Sequence, residues 1–467
     1  MIRLSVVAAA TVLLGGCASF SPDGGFGAVQ QLTQERTGQT PASFTKPADR
    51  DAAQARVAEL LKPALSADSA AEVALLNNRG LQASFAALGI AEADLVQAGR
   101  LRSPTLGFGR LAGGGIVEID RALIFDLLGL FTLPAATRLE KGRFEQAQLQ
   151  AAYDAVGLAA ETRRAFFSAV AAQALVKYGT QVKEAADAAN ELARRMQQAG
   201  NFSKLQQMRE QAFYADASAQ LARALHQAVA ERERLTRLLG LSGEPNAFTL
   251  PDRLPDLPAA PVEPKDAEQT AMDKRLDVLM AKRSAESVAQ SLGATKATRW
   301  INVLDAGYQN KSQTGERRQD GYQIDLELPL FDFDSPRVAR AEAIYMQALH
   351  RAADVANNAR SEVRESYSAY RTAYDLARHY RDEVVPLRKR IAGENLLRYN
   401  GMLRSVLELL ADAKDQVGSV TGYVEALRDH WIAATNLQTA LTGRSPGNGN
   451  TPSRPSAAAP AGAGLGH

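Results

Sequence analysis

The chain has one cysteine in 467 residues, Cys17, so no disulfide forms within it and packing alone must hold the fold. Its five histidines, His226, His350, His379, His430 and His467, are scattered. With a single thiol near the N-terminus they give neither a metal-ligand spacing nor a nucleophile–base pair, so no metal, no cofactor and no enzyme activity is expected. No glycine-rich phosphate loop of the Walker type occurs, which removes nucleotide-driven work. Neither sign of charge is in excess, 54 Lys+Arg against 52 Asp+Glu, so no basic field recommends nucleic acid. Aromatic residues are only 6%, which suits long helices at close approach better than a thick globular core. Beyond the N-terminus no apolar run is long enough for a spanning helix. The nearest, Ala122–Phe131, is interrupted by Asp126, so a body that crosses a membrane must cross it as strands.

What is present begins with an export signal over residues 1–16. Arg3 supplies its positive end, and Leu4–Leu14 supply an apolar stretch too short to span a bilayer. It ends in Leu14-Gly15-Gly16-Cys17, which resembles the bacterial lipobox, where a peptidase cuts before the cysteine and the thiol and new amino group are acylated. Ala18 stands where an aspartate would resemble the inner-membrane retention signal. The resemblance implies a palmitate-type anchor on Cys17 and contact with outer-membrane lipids.

The remainder says the same thing twice. An extended N-terminal segment, 17–50, precedes a first repeat over 51–244. A proline-rich linker, 245–266, precedes a second repeat over 267–443, and a disordered tail, 444–467, closes the chain. In each repeat helices lead to two strand-like segments and then to a long helical hairpin. The expected elements of the first are helices over 51–61 and 71–99, strands within 104–131, and a helix from 135 to 198 that resumes at 203. Those of the second are a helix over 267–292, strands over 301–309 and 321–330, and a helix from 337 to 399 followed by a return to 441. Gly200 and Gly401, 201 residues apart, read as the two points of reversal, since glycine tolerates the left-handed backbone of a tight turn. So constant an offset marks a duplication.

The helices carry heptad seams. The first ascending helix has Leu175, Tyr178, Val182, Ala185, Ala189, Leu192 and Met196, and its return has Leu205, Met208, Ala212, Ala215, Ala219 and Ala222. The second hairpin has Val363, Tyr367, Tyr370, Tyr374 and Ala377, then Tyr380, Val384, Leu387 and Ile391, then Val406, Leu410, Ala413, Val417, Val420, Val424, Leu427 and Trp431 on the return. The extra three-step at Ala377–Tyr380 predicts local overwinding, and Pro386 predicts a bend. At about 64 residues, each ascending helix would reach on the order of 95 Å.

Tyr322-Gln323-Ile324-Asp325-Leu326-Glu327-Leu328 alternates without a break, putting apolar residues on one face of a strand and polar ones on the other. That is the pattern of a transmembrane barrel wall. Four such strands cannot close a barrel, because single-chain bacterial barrels begin at about eight. Chains must therefore pool strands: two copies would give a filled lumen of eight, three a passage of twelve.

These residues together resemble the TolC-type outer-membrane efflux proteins, in particular their lipoprotein branch. Pro329-Leu330-Phe331-Asp332 after the fourth strand matches a family motif. Val385-Pro386-Leu387, Tyr399-Asn400-Gly401 and Val406-Leu407 resemble its second hairpin tip, and Ala199-Gly200-Asn201-Phe202 with Leu239-Gly240 the tip and end of its first. Departures are the remnant Leu130-Phe131-Thr132-Leu133-Pro134 before the first long helix and the missing acidic constriction, for which Glu408 or Asp412 would stand in. The resemblance implies a mainly α fold with a small membrane β part: a homotrimer whose α-barrel is continuous with a twelve-stranded β-barrel. It also implies a passive outer-membrane conduit that docks to a periplasmic adaptor protein attached to an inner-membrane pump. The tip residues it assigns are Gly200, Asn201, Phe202 and Ser203 with Tyr399, Gly401, Leu403, Arg404 and Ser405. The rivals are a coiled-coil periplasmic adaptor, against which the duplication argues, and a structural lipoprotein.

Overall fold

A computed structural model describes residues 19–44, 46–241, 248–329, 331, 333–401, 403 and 406–446, with the side chains of 406–414 left undescribed. Cys17, Arg404 and Ser405 lie outside the described residues, as do the side chains of Glu408 and Asp412. The element order is α1 (Phe26–Thr37), α2 (Pro47–Leu60), α3 (Ala67–Asn77), α4 (Arg79–Ala98), β1 (Thr105–Gly113), β2 (Ile116–Asp126), α5 (Leu127–Gln198), α6 (Lys204–Leu238), α7 (Ala267–Lys274), α8 (Leu276–Ala297), β3 (Val303–Gln313), β4 (Gln319–Glu327), α9 (Ser335–His379), a π-turn (Tyr380–Val384), α10 (Val385–Asn400) and α11 (Val406–Thr442). Helix–strand–strand–long helix–return helix thus occurs twice. Among the described residues no helix is long and apolar enough to cross a membrane.

The chain divides into two compact units. The first comprises Met1–Phe166, Ala230–Pro251 and Leu276–Asn358. Its core joins Val29 of α1, Ala71 and Leu75 of α3, Leu81, Phe85 and Leu88 of α4, Leu276 of α8, and an alanine-rich stretch of α5 at Ala151, Ala152, Ala155 and Ala159. Alanine at successive turns lets neighbouring backbones approach closely. Two expectations fail here. The segment before residue 50 is not wholly extended: α1 buries Val29, Thr33 and Thr37 at helical spacing, and Phe26 meets Phe85 edge-on at 4.8 Å. The helix expected over 71–99 breaks at Asn78, whose backbone is extended at ψ 121°. Asn78 Oδ1 accepts from Leu81 N–H at 3.1 Å to cap α4, while its Nδ2 donates to Leu238 O and Asn77 Nδ2 donates to Leu239 O, both at 3.0 Å. One asparagine pair so satisfies two helix ends at once.

The second unit comprises Phe167–Val229, Asp252–Arg275 and Ala359–His467. Its proline-rich segment is strapped to α9 and α11 by aromatic side chains. Trp431 Nε1 donates to Pro255 O at 3.0 Å, Tyr374 OH to Ala259 O at 3.0 Å, and Tyr370 OH accepts from Val262 N–H at 2.9 Å. Prolines in the strap leave no N–H to satisfy and present carbonyls for these bonds. Arg275, 1% exposed, is paired with Glu362 at 2.7 Å.

The seam at Pro386 differs from expectation. The helix does not overwind there. A π-turn over Tyr380–Val384 carries a bond from Val385 N–H to Tyr380 O, absorbing the position where proline lacks a donor. The added residue turns Leu387 outward, 49% exposed, and buries Asn395 further along. The first hairpin is also rotated from its expected register. The ascending helix buries Ala189 as expected, but Ala186 and Ala193 in place of Ala185 and Leu192, the latter 48% exposed. On α6 the buried side is Glu210 and Ala217, and the predicted stripe lies on the opposite, open side, with Leu205 60% and Met208 53% exposed and Ala212, Ala215, Ala219 and Ala222 exposed beside them.

Candidate functional site

The four strands form one antiparallel sheet in the order β1-β2-β3-β4, so the two repeats meet at the β2–β3 pair. Residues directly opposite one another share a face. One face carries the rows Leu106–Leu123–Tyr308–Tyr322, Phe125–Ala306–Ile324 and Leu304–Leu326. It is open: Leu106 is 79%, Tyr322 86% and Ile324 62% exposed. At the strand ends that lead into helices, Phe131 and Phe331 are exposed, and Trp300 packs on Phe333 at 5.9 Å beneath Arg299. The chain turns from β4 into α9 through Phe333 and Asp334, both left-handed at φ 49° and 58°. Of the Pro-Leu-Phe-Asp segment, Leu330 and Asp332 lie outside the described residues.

The opposite face carries Glu118, Asp120 and Asp126 on β2, Asp305, Gln309 and Lys311 on β3, and Gln323, Asp325 and Glu327 on β4, with glycines on β1 and Leu111, Ile116, Ala122, Ile124 and Val303 as apolar exceptions. Lys311 pairs with Glu118, and Arg102 reaches Asp126 at 3.2 Å. Asp126, Asp305 and Asp325 are successive cross-strand neighbours. Asp126 and Asp305 line a cleft of about 450 Å³ together with Arg102 and Asn302. Among the described residues no group of ligating side chains is arranged to hold a metal ion. The sheet thus has one apolar and one acidic, hydrophilic face.

The hairpin ends are built differently from one another. Gly200 has φ 77°, Asn201 N–H reaches Met196 O at 2.8 Å and Gly200 N–H reaches Gln197 O at 3.1 Å, a Schellman ending that glycine serves best. Ser203 then starts α6 with a capping box: Gln206 N–H donates to Ser203 Oγ at 3.2 Å, and Ser203 N–H to Gln206 Oε1 at 2.8 Å. Asn201 is exposed and Phe202 half-buried. About two turns before this tip, the Arg194 and Arg195 guanidiniums hold the Glu191 carboxyl down at about 2. Gly401 does not match the expectation of a left-handed turn: its φ is −82°. Its N–H bonds Leu397 O at 3.0 Å, and Leu403 N–H reaches back to Arg398 O at 2.9 Å. Tyr399 is 38% and Leu403 80% exposed, and Arg388 joins Asp415 across the hairpin at 2.8 Å. Of the residues assigned to the tips, Gly200, Asn201, Phe202 and Ser203 follow one another at the first and Tyr399, Gly401 and Leu403 stand at the second, with Arg404 and Ser405 outside the described residues.

No sequence-family model matches the chain. No curated protein matches it either. Solved structures do. The transmembrane channel protein CusC aligns at TM-score 0.69 with 15% identity, covering 81% of this chain and 92% of its own. The outer-membrane channel OprN aligns at 0.68 with 20% identity, covering 81% and 90%. The outer membrane protein VceC of Vibrio cholerae aligns at 0.67 with 16% identity, covering 81% and 96%. The chain therefore has the mainly helical fold with a small antiparallel sheet found in TolC-type outer-membrane channels, as the resemblance in its sequence implies.

Proposed function

We propose that this protein is the outer-membrane channel of a tripartite export system, a passive conduit from periplasm to exterior. The observation that carries this reading is the sheet. It has four strands, an open apolar face, an acidic face, and edges at β1 and β4 that pair with nothing else among the described residues. Unpaired strand edges are not sustained in hydrocarbon, so the wall must close through other copies. Three copies give a twelve-stranded barrel with a passage. The uncovered stripe of Leu205, Met208, Ala212, Ala215, Ala219 and Ala222 supports the same association, because a heptad face of small residues is complementary to another such face. The hairpin tips at 200–203 and 399–405 dock to a periplasmic adaptor joined to an inner-membrane pump, and Cys17 carries the lipid.

Reconstituted into planar bilayers, the protein is expected to conduct ions and to favour cations, since the sheet's hydrophilic face sets Glu118, Asp120, Asp126, Asp305, Asp325 and Glu327 against Lys311 and Arg102. A persistently silent bilayer would refute the channel and favour a periplasmic adaptor.

A further inference from the structure

The apolar face of the sheet changes character toward the hairpins that join β1 to β2 and β3 to β4. The row after Leu106–Leu123–Tyr308–Tyr322 is Phe108–Arg121–Asn310–Asp320, and the row beyond it places Arg110 opposite Ile119. Arg318, just before β4, brings Nε to 3.6 Å from Asp320 Oδ1. Within this patch Asn310 is only 2% exposed. Its Oδ1 accepts from Arg121 Nη1 at 2.8 Å, and its Nδ2 donates to Asp320 Oδ1 at 2.6 Å, where Tyr308 OH also donates at 2.5 Å. The asparagine therefore orients both the guanidinium and the carboxylate.

Charge in the patch is not balanced. The patch sets three arginines, Arg110, Arg121 and Arg318, against one carboxylate, Asp320, which pairs with Arg318. Arg110 and Arg121, diagonal neighbours across β1 and β2, have no carboxylate partner among the described residues. Glu118 and Asp120, close in sequence, belong to the other face with Lys311. Like charges set side by side on a strand pair cost stability unless an anion lies between them. All three cations are arginine, whose planar fork matches phosphate oxygens two at a time. Phe108, 72% exposed, lies directly opposite Arg121, and in the next row lie Leu106, 79% exposed, and the tyrosine pair at the depth of a membrane interface. An apolar platform under a cationic cluster at headgroup depth is complementary to an anionic lipid.

We infer that Arg110, Arg121 and Arg318, ordered through Asn310 and Asp320, bind the phosphate of a glycolipid headgroup in the outer leaflet, with its acyl chains against Leu106 and Phe108. The site rests on the reading of the sheet as a barrel wall. The test uses the full-length protein purified in detergent and the double variant Arg110→Gln/Arg121→Gln, with bis-phosphorylated lipid A and its dephosphorylated form as probes. Retained lipid is counted by native mass spectrometry over a titration. The wild type should prefer the phosphorylated form by roughly tenfold or more, and the variant should lose that preference. Millimolar inorganic phosphate should leave the lipid bound. Equal retention of the two lipids by the wild type, or an unchanged preference in the variant, overturns the site, and full displacement by inorganic phosphate overturns the lipid as its ligand. Bilayer recordings on the same preparations separate the levels: a conducting protein without the preference refutes this inference alone, and one that neither inserts nor conducts refutes the barrel as well.

Discussion

Lowering the pH from 7.5 to 4.5 is expected to weaken the unit that contains His430. This imidazole is 1% exposed and boxed by Tyr370 at 5.4 Å, Tyr374 at 5.6 Å and Trp431 at 5.2 Å. Its Nδ1 has no hydrogen-bond partner among the described residues. Burial pushes its pKa from 6.5 down to about 4. The native state thus holds it neutral, whereas the unfolded chain takes up a proton as the pH passes 6.5. Stability is complete above 6.5, falls between 6.5 and about 4, and levels off below. At about 1.4 kcal/mol per pH unit, roughly 2.5 kcal/mol is lost by pH 4.5. The Glu191 carboxyl, lowered from 4.5 to about 2, adds a loss that begins only near pH 4.5 and is common to parent and variant, so it cancels in their difference. The chain has two tryptophans, so a Trp300→Phe background leaves Trp431, stacked on Phe167 at 5.6 Å, as the reporter. Urea unfolding in detergent at both pH values, with and without His430→Phe, isolates the contribution. The phenylalanine variant should lose about 2.5 kcal/mol less than its parent. Equal losses in the two would refute the buried neutral imidazole.

Two further outcomes follow from the tips and the anchor. Gly200→Val forces a β-branched residue into a left-handed position and should cost about 1–2 kcal/mol, whereas Gly401→Val, at φ −82°, should melt within a degree or two of the wild type; thermal unfolding of both variants checks the order, and equal losses would place the strain elsewhere. Cys17→Ser should abolish radiolabelled palmitate incorporation in cells, and persistent labelling would show that the lipid is carried at another position.

Much of the fold is legible in the residues because periodicity survives without a partner. The alternation Tyr322–Leu328 gives β4 and its open face directly, and the matching glycines give the two reversals. What fails does so for physical reasons. α1 buries one valine and two threonines, a stripe with too little apolar contrast to stand out. On α6 apolar residues occur on more than one side, Ala217 and Leu221 as well as Ala212 and Ala219, so a heptad fits either side and only packing chooses. Pro386 announces a missing donor, but sequence does not say whether the helix bends or adds a residue, and the π-turn is the second solution. The arginines on the apolar face of the sheet are invisible for a different reason. Arg110, Arg121 and Arg318 are far apart in the chain, and only the register of β1 through β4 brings them into one patch.

The central claim is that one chain supplies a third of a closed wall. Native mass measurement of the protein extracted in mild detergent tests it most directly. A particle of three chains is predicted, because strands left with open edges at β1 and β4 find partners only in further copies. A stable single chain, in native membranes as in detergent, would contradict it.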